Sequence, residues 1–308
     1  MIRTVCGDID QSQLGICQMH EHLLGAPPPP YAAQDPDLVL DSIPAAIREM
    51  GFFKQAGGRA IVEMTPIDYN RDPAGLRQVS EQTGIHIIGI TGFLKNKFCA
   101  PFVAARTVDE LAAWFIRDIV QGIPQTGVQA GVIKAASSKN EITPAEEKVF
   151  QAAAQACLAT GALISTHTEA GTMALEQIDL LTAAGVPPQR ILIGHLDRKL
   201  DWDYHLAIAR RGVWLGYDHI GKEKYYPDHQ RIDFIQRLVA EGFAGQLLFS
   251  CDLARRSYMP SYNTGGGPGF TYLLWRFVPW LRQAGCDETT LQTILILNPA
   301  QALDLKGA

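Results

Sequence analysis

Three features are missing from this chain, and each absence removes a class of function. No run of lysine and arginine could follow a phosphate backbone. The 27 basic residues face 32 acidic ones, and the net charge of −5 is spread over 308 residues, so no nucleic-acid partner is expected. No apolar stretch approaches the roughly 18 uninterrupted residues of a membrane span, and the opening MIRTVCGDIDQSQLG lacks the long apolar core of a secretion signal. The six cysteines (Cys6, Cys17, Cys99, Cys157, Cys251 and Cys286) include no C-x-x-C pair. That argues against a disulfide frame or cysteine-held zinc and for a reducing cytoplasm, with no membrane association. What is present is 47% hydrophobic and only 19% charged, enough to bury a large core.

Short apolar runs alternate with helical patterns. Strands are predicted at Gly15–His20, Arg59–Thr65, His86–Thr91, Ala130–Ala135, Ala162–His167, Arg190–His195, Val213–Tyr217 and Gln246–Asp252. Most are continuously hydrophobic, as parallel strands buried on both faces are. Helices are predicted at Leu38–Gln55, Val108–Gly122, Met173–Ala184, Asp201–Arg211, Asp228–Gly242 and Tyr272–Ala284. Another, ending at Ala159, is announced by the capping-box pattern of Thr143, Pro144 and Glu146. Eight strands alternating with helices predict an α/β fold, a single (β/α)8 TIM barrel over 1–308, with a doubly wound sheet as the alternative. The proline-rich Ala26–Tyr31 and glycine-rich Tyr262–Phe270 read as active-site loops.

The ionisable residues fall at the strand ends. His20 and His22 end the first strand, Lys134 lies near the end of the fourth, and His167, His195 and Asp252 end the fifth, sixth and eighth. C-terminal strand ends converge on one barrel mouth, so six groups able to bind or bridge metal meet there. In an extended strand, His20 and His22 point to one side and Glu21 away from them. Lys134 is the odd member, because an ammonium beside two divalent cations would be repelled. Its neutral amine could add carbon dioxide and become a bridging carbamate.

The chain resembles the phosphotriesterase-like branch of the metal-dependent amidohydrolase superfamily. The likeness is carried by QMHEH at 18–22, AGVIKAAS at 130–137, ISTHTEAGT at 164–172, ILIGHLD at 191–197, WLGYDHI at 214–220 and LLFSCD at 247–252. It implies two divalent ions, zinc or manganese. His20, His22 and Asp252 would hold one, His167 and His195 the other, with carboxylated Lys134 between them. It also implies catalysis by a bridging hydroxide, with Asp252 as proton acceptor and His219 as a relay. The relay's next aspartate would fall at 198, where this sequence has Arg198. A homodimer is the assembly the resemblance suggests.

Substrate choice is left to the loops. Lys222 and Lys224 follow the seventh strand, and Arg255 and Tyr258 the eighth. Such a set suits an anionic group, so the expected substrate is a small anionic lactone, of the phosphorylated sugar lactone kind. A phosphotriesterase or N-acyl-homoserine lactonase is the alternative, and a non-catalytic binding barrel or a mononuclear deaminase-like relative comes after it. Lys95 and Lys97 in the third loop weigh against long-tailed neutral lactones.

Overall fold

A computed structural model describes residues 1–305. A short antiparallel hairpin, β1 (Ile2–Thr4) and β2 (Gly7–Ile9), precedes the barrel. The barrel strands are β3 (Cys17–Glu21), β4 (Ala60–Glu63), β5 (His86–Ile88), β6 (Ile90–Gly92), β7 (Val132–Ser137), β8 (Leu163–Thr168), β9 (Ile191–Ile193), β10 (Trp214–Tyr217) and β11 (Leu247–Phe249). All pair in parallel. The third predicted strand is broken at Gly89, so that β5 pairs with β4 while β6 pairs with β7. Counted as one, these two give the eight strands of a (β/α)8 barrel.

Closure between β11 and β3 is made by side chains as well as backbone. Asp252 N donates to His20 O at 3.1 Å, and Ser250 Oγ accepts from His20 N at 2.9 Å. Glu21 accepts from Ser250 Oγ and Cys251 N, each at 2.7 Å, and from Leu253 N at 2.9 Å. The seam therefore runs through the residue predicted to point away from the two histidines.

Alternation along the strands separates two apolar layers. Cys17, Met19, Val62, Val132, Leu163, Leu192 and Leu248 fill the barrel interior, while Ile61, Ile133, Ile164, Ile193, Leu215 and Phe249 face the helices. The β3–β4 pairing shifts register between Gln18 and Glu21. Without that bulge Cys17 and Met19 would put Glu21 inside; with it, His20 and His22 turn to the mouth.

The capping box forms as predicted, starting the helix Pro144–Thr160. The helix predicted from Leu38 begins only at Ile43, because Ser42 caps it and Pro44 fits only its first turn. At Tyr272–Ala284, a wide five-residue turn, Leu273–Phe277, precedes the helix Val278–Gln283. Pro279 there has no N–H to give Trp275. No helix among the described residues is long and apolar enough to cross a membrane.

Candidate active site

Two of the expected ligands sit in strained backbone. His195 and Asp252 have φ of 60° and 49°, the left-handed region that costs a non-glycine residue about 1 kcal/mol or more. The strain is held by hydrogen bonds: His195 N donates to both oxygens of Asp218 at 3.0 Å, and Asp252 N to His20 O. Gly194 is required beside them. A Cβ there would lie 2.5 Å from Thr166 O and 3.1 Å from Asp218 Oδ2, so only glycine lets Asp218 in.

The hydrogen-bond partners assign the imidazole tautomers. Asp218 Oδ1 lies 2.7 Å from His195 Nδ1, and Glu169 Oε2 lies 2.9 Å from His167 Nε2. Each carboxylate takes the N–H, which leaves the bare nitrogens His195 Nε2 and His167 Nδ1 facing each other at 2.8 Å. Thr65 Oγ1 donates to Glu63 at 2.6 Å, so it accepts from His22 Nδ1 at 2.9 Å. That leaves His22 Nε2 facing Asp252 Oδ1 at 3.2 Å. His20 points the same way without a carboxylate hydrogen bond to fix it: its Nδ1 lies 3.3 Å from Asp218 Oδ2 but is not bonded to it, and its Nε2 lies 3.8 Å from Asp252 Oδ1.

The His20, His167 and His195 rings are neutral. Burial pushes His167 down to about 3, with the neighbouring His195 adding to it. Burial also lowers His20 and His195. Neutral acceptors turned on one another repel unless a cation lies among them. The donor set thus fits divalent metal, and His20, His22 and Asp252 bring ligand atoms within 4.8 Å of one another.

Lys134 is buried with Nζ 3.1 Å from His20 Nε2. Burial pushes its ammonium down to about 8, against the pull of Asp252 and Asp218. Burial works against the Asp252 carboxylate too, yet the Lys222 ammonium beside it holds it well below the usual range. Lys222 Nζ lies 2.5 Å from Asp252 Oδ2, and His219 Nε2 lies 3.3 Å from the same oxygen.

Behind His219 stand two carboxylates that sequence reasoning missed. Asp218 Oδ1 is 3.0 Å and Asp197 Oδ1 3.6 Å from His219 Nδ1, and Asp197 Oδ2 accepts from His219 N at 2.9 Å. At the position expected to carry the relay's next aspartate, the Arg198 guanidinium lies 3.7 Å over the Tyr225 ring, and the carboxylates beside His219 come from 197 and 218 instead. The fully buried Arg231 fixes Asp197 through Nε at 2.8 Å.

A cavity of about 250 Å³ opens over these groups. His20, His22, Lys134, His167, His195 and Asp252 form one wall; Leu38, Leu40, Tyr69, Leu94 and Phe98 form much of the other, with Lys95 and Lys97 among them. Lys95 pairs with Glu169, while Lys97 rests on the Tyr31 and Phe98 rings at 4.3 and 4.8 Å.

None of the four expected anion anchors lines this cavity. Lys222, Lys224 and Tyr258 form a connected patch beside Asp252, in which Lys224 donates to Tyr258 Oη at 2.8 Å and Lys222 sits 5.6 Å from the Tyr258 ring. Arg255 is bound to Asp35 and Asp37 at 2.8 and 3.2 Å.

Also missed were Glu169, and Glu63 with Thr65. A signal existed for some: the quoted GHLD and GYDHI segments already contain Asp197 and Asp218. For Glu63 and Thr65, only the pairing of β4 with β3 brings them to His22.

A parallel barrel with histidines, a buried lysine and an aspartate gathered at its C-terminal mouth is the arrangement of a metal-dependent hydrolase. The chain belongs to the phosphotriesterase family, whose model it matches over residues 1–303. It is 39% identical over 266 residues to the phosphotriesterase homology protein of Escherichia coli (strain K12), covering 86% of this chain and 90% of that protein. It is 32% identical over 323 residues to a phospho-furanose lactonase of Mycoplasmopsis synoviae (strain 53), covering 98% and 91%. The crystal structure of a lactonase from Listeria monocytogenes superposes with a TM-score of 0.94 at 36% identity, covering 99% of each chain.

Proposed function

We propose that this chain opens the ring of small lactones and that an anionic one, a phosphorylated sugar lactone, is its preferred class. The observation that carries the hydrolytic reading is the pair of facing acceptors at the wall of a cavity, the neutral rings of His167 and His195 turned on one another and His22 turned on the Asp252 carboxylate. The relatives named lactonase support the ring-opening chemistry.

When bound, two divalent cations (zinc, or manganese) supply activation of water and polarisation of the acyl oxygen. His20, His22 and Asp252 would hold one ion and His167 and His195 the other, with Lys134 as its carbon dioxide carbamate offering oxygens to both. The low Lys134 pKa supports this, because only the neutral amine adds carbon dioxide.

The chain's own groups handle the proton. Water adds to the acyl carbon, the ring C–O bond breaks, and the proton released from water ends on the ring oxygen, giving a hydroxy acid. Asp252 carries that proton, and His219 stands 3.3 Å away to exchange it. Asp218 and Asp197 hold His219 in orientation.

Lys97 brings positive charge into the cavity, and the patch of Lys222, Lys224 and Tyr258, with Arg255 beyond it, lies outside its wall where a substrate's anionic group could extend. A cavity below the roughly 300–1,000 Å³ of drug-sized pockets leaves little room for a long acyl tail, which ranks N-acyl-homoserine lactones lower. Neutral phosphotriesters rank as a side activity. Metal-loaded protein assayed on phosphorylated and plain lactones of one ring type tests the reading. Turnover of the phosphorylated lactone at lower KM is expected. No turnover of any lactone with metal present would overturn it in favour of a binding protein.

A further inference from the structure

Arg255 is assigned to the substrate's anion, yet two carboxylates already hold it. Its Nη2 donates to Asp35 Oδ2 at 2.8 Å and its Nη1 to Asp37 Oδ2 at 3.2 Å. Asp37 also accepts from Ser257 Oγ and Ser257 N, at 2.6 and 2.8 Å. Both aspartates belong to the segment 26–39. Its neck is tied by reciprocal backbone bonds of 2.8 Å between Gly25 and Leu40, making it an Ω-type loop. Leu38, next to Asp37, and Ala254, next to Arg255, line the active-site cavity. The loop is a roof, and the ion pairs are at its edge.

Elsewhere the roof is held by Ala26 N to Tyr69 O at 3.0 Å, Asn70 Nδ2 to Ala26 O at 2.9 Å, Arg256 Nε to Val39 O, and the Tyr31 ring against Phe98 at 5.1 Å. Its helical turns, Pro29–Gln34 and Pro36–Leu38, contain no buried residue. The side chains of Arg255, Asp35 and Asp37 are 32, 36 and 29% exposed, so these are screened ion pairs of modest strength. A phosphate monoester presents to a guanidinium the same pair of oxygens that the two aspartates present. It can therefore take their place without loss of hydrogen bonds.

We propose that Asp35 and Asp37 are specificity-determining residues that act as an internal anion. They occupy Arg255 until the phosphate of a substrate displaces them, and the exchange loosens that edge of the roof. This rests on the reading of Arg255 as an anion anchor of the lactonase site. A neutral lactone gains nothing from the exchange, whereas a phosphorylated one gains Arg255 only by outcompeting two carboxylates. The aspartates thereby set how strongly charge is rewarded.

Inorganic phosphate tests this without turnover. Calorimetric titration of metal-loaded wild type, D35N/D37N and D35N/D37N/R255A is expected to show phosphate bound about tenfold tighter by the double variant, as removal of two charged competitors implies. The gain should vanish in the triple variant, which separates Arg255 from any phosphate held at the metals. Hydrogen exchange across 26–39 should quicken in wild type when phosphate is added. Phosphate binding no tighter in D35N/D37N, or a gain that survives the loss of Arg255, overturns the proposal. With lactones, the ratio of KM for the phosphorylated to the plain substrate should fall by a similar factor. If wild type opens no lactone at all, the lactonase reading fails, and the phosphate titration still decides the role of the aspartates.

Discussion

The two walls of the cavity are built in opposite ways. On the barrel side, His20, Lys134 and His195 are buried and hang from paired strands, and each histidine has a carboxylate or hydroxyl behind it. On the roof side, 26–39 carries no buried residue in its helical turns and closes through exposed ion pairs. The barrel wall can fix atoms to the tolerance that bond-breaking requires. The roof can only favour or disfavour what enters. The proposed roles follow that division: the chemistry would belong to the strands, and selection to a loop that can be altered without touching it.

The largest break in this comparison comes from the barrel wall. If Asp252 is the proposed proton acceptor, D252N is expected to lower kcat about 10²–10⁴-fold with KM little changed; steady-state kinetics on any turned-over lactone would read it. D218N comes next. Its carboxylate orients His20, His195 and His219 together, and loss of such support typically costs about 10–100-fold in metal affinity or activity, checked by metal-dependent activity titration.

Asp68 gives a smaller effect, on stability. Burial pushes its carboxyl up to about 7 from 3.8, while it accepts from Leu94 N at 3.1 Å. The folded form thus holds the proton more tightly than the unfolded one. Its stabilising contribution is present below 3.8 and is lost as pH rises through about 7, at a cost of a few kcal/mol at most. D68N should melt like wild type at pH 4 and higher than wild type at pH 8. Equal melting at both would show that Asp68 is not destabilised by ionisation. The smallest effect is on the roof: raising salt should speed hydrogen exchange across 26–39 and leave β7 and β8 unchanged.

The division between the walls also explains what the sequence made legible. Strands announce themselves by apolar runs, and an ionisable residue ending such a run is conspicuous, which is why His20, His22, Lys134, His167, His195 and Asp252 could be picked out and are found together. The capping box at Thr143 was local and formed as read. The break at Gly89 and the bulge between Gln18 and Glu21 depend on pairing with neighbours and leave no mark in one strand alone. The partners of the ligands come from other strands, so Glu63 and Asp218 could be reached only through the fold. The Arg255–Asp35 pair joins residues 220 positions apart; no periodicity encodes it. Charge in the loops was legible, but which charges were already satisfied was not.

The central claim is that the facing acceptors of the barrel wall form a two-ion site joined by Lys134. Titration of metal-stripped protein with zinc, followed by calorimetry, tests it most directly. Two ions bound per chain by wild type, with one site lost or greatly weakened in K134A, is the expected result. A single ion in wild type, or two ions and full activity retained by K134A, would contradict it.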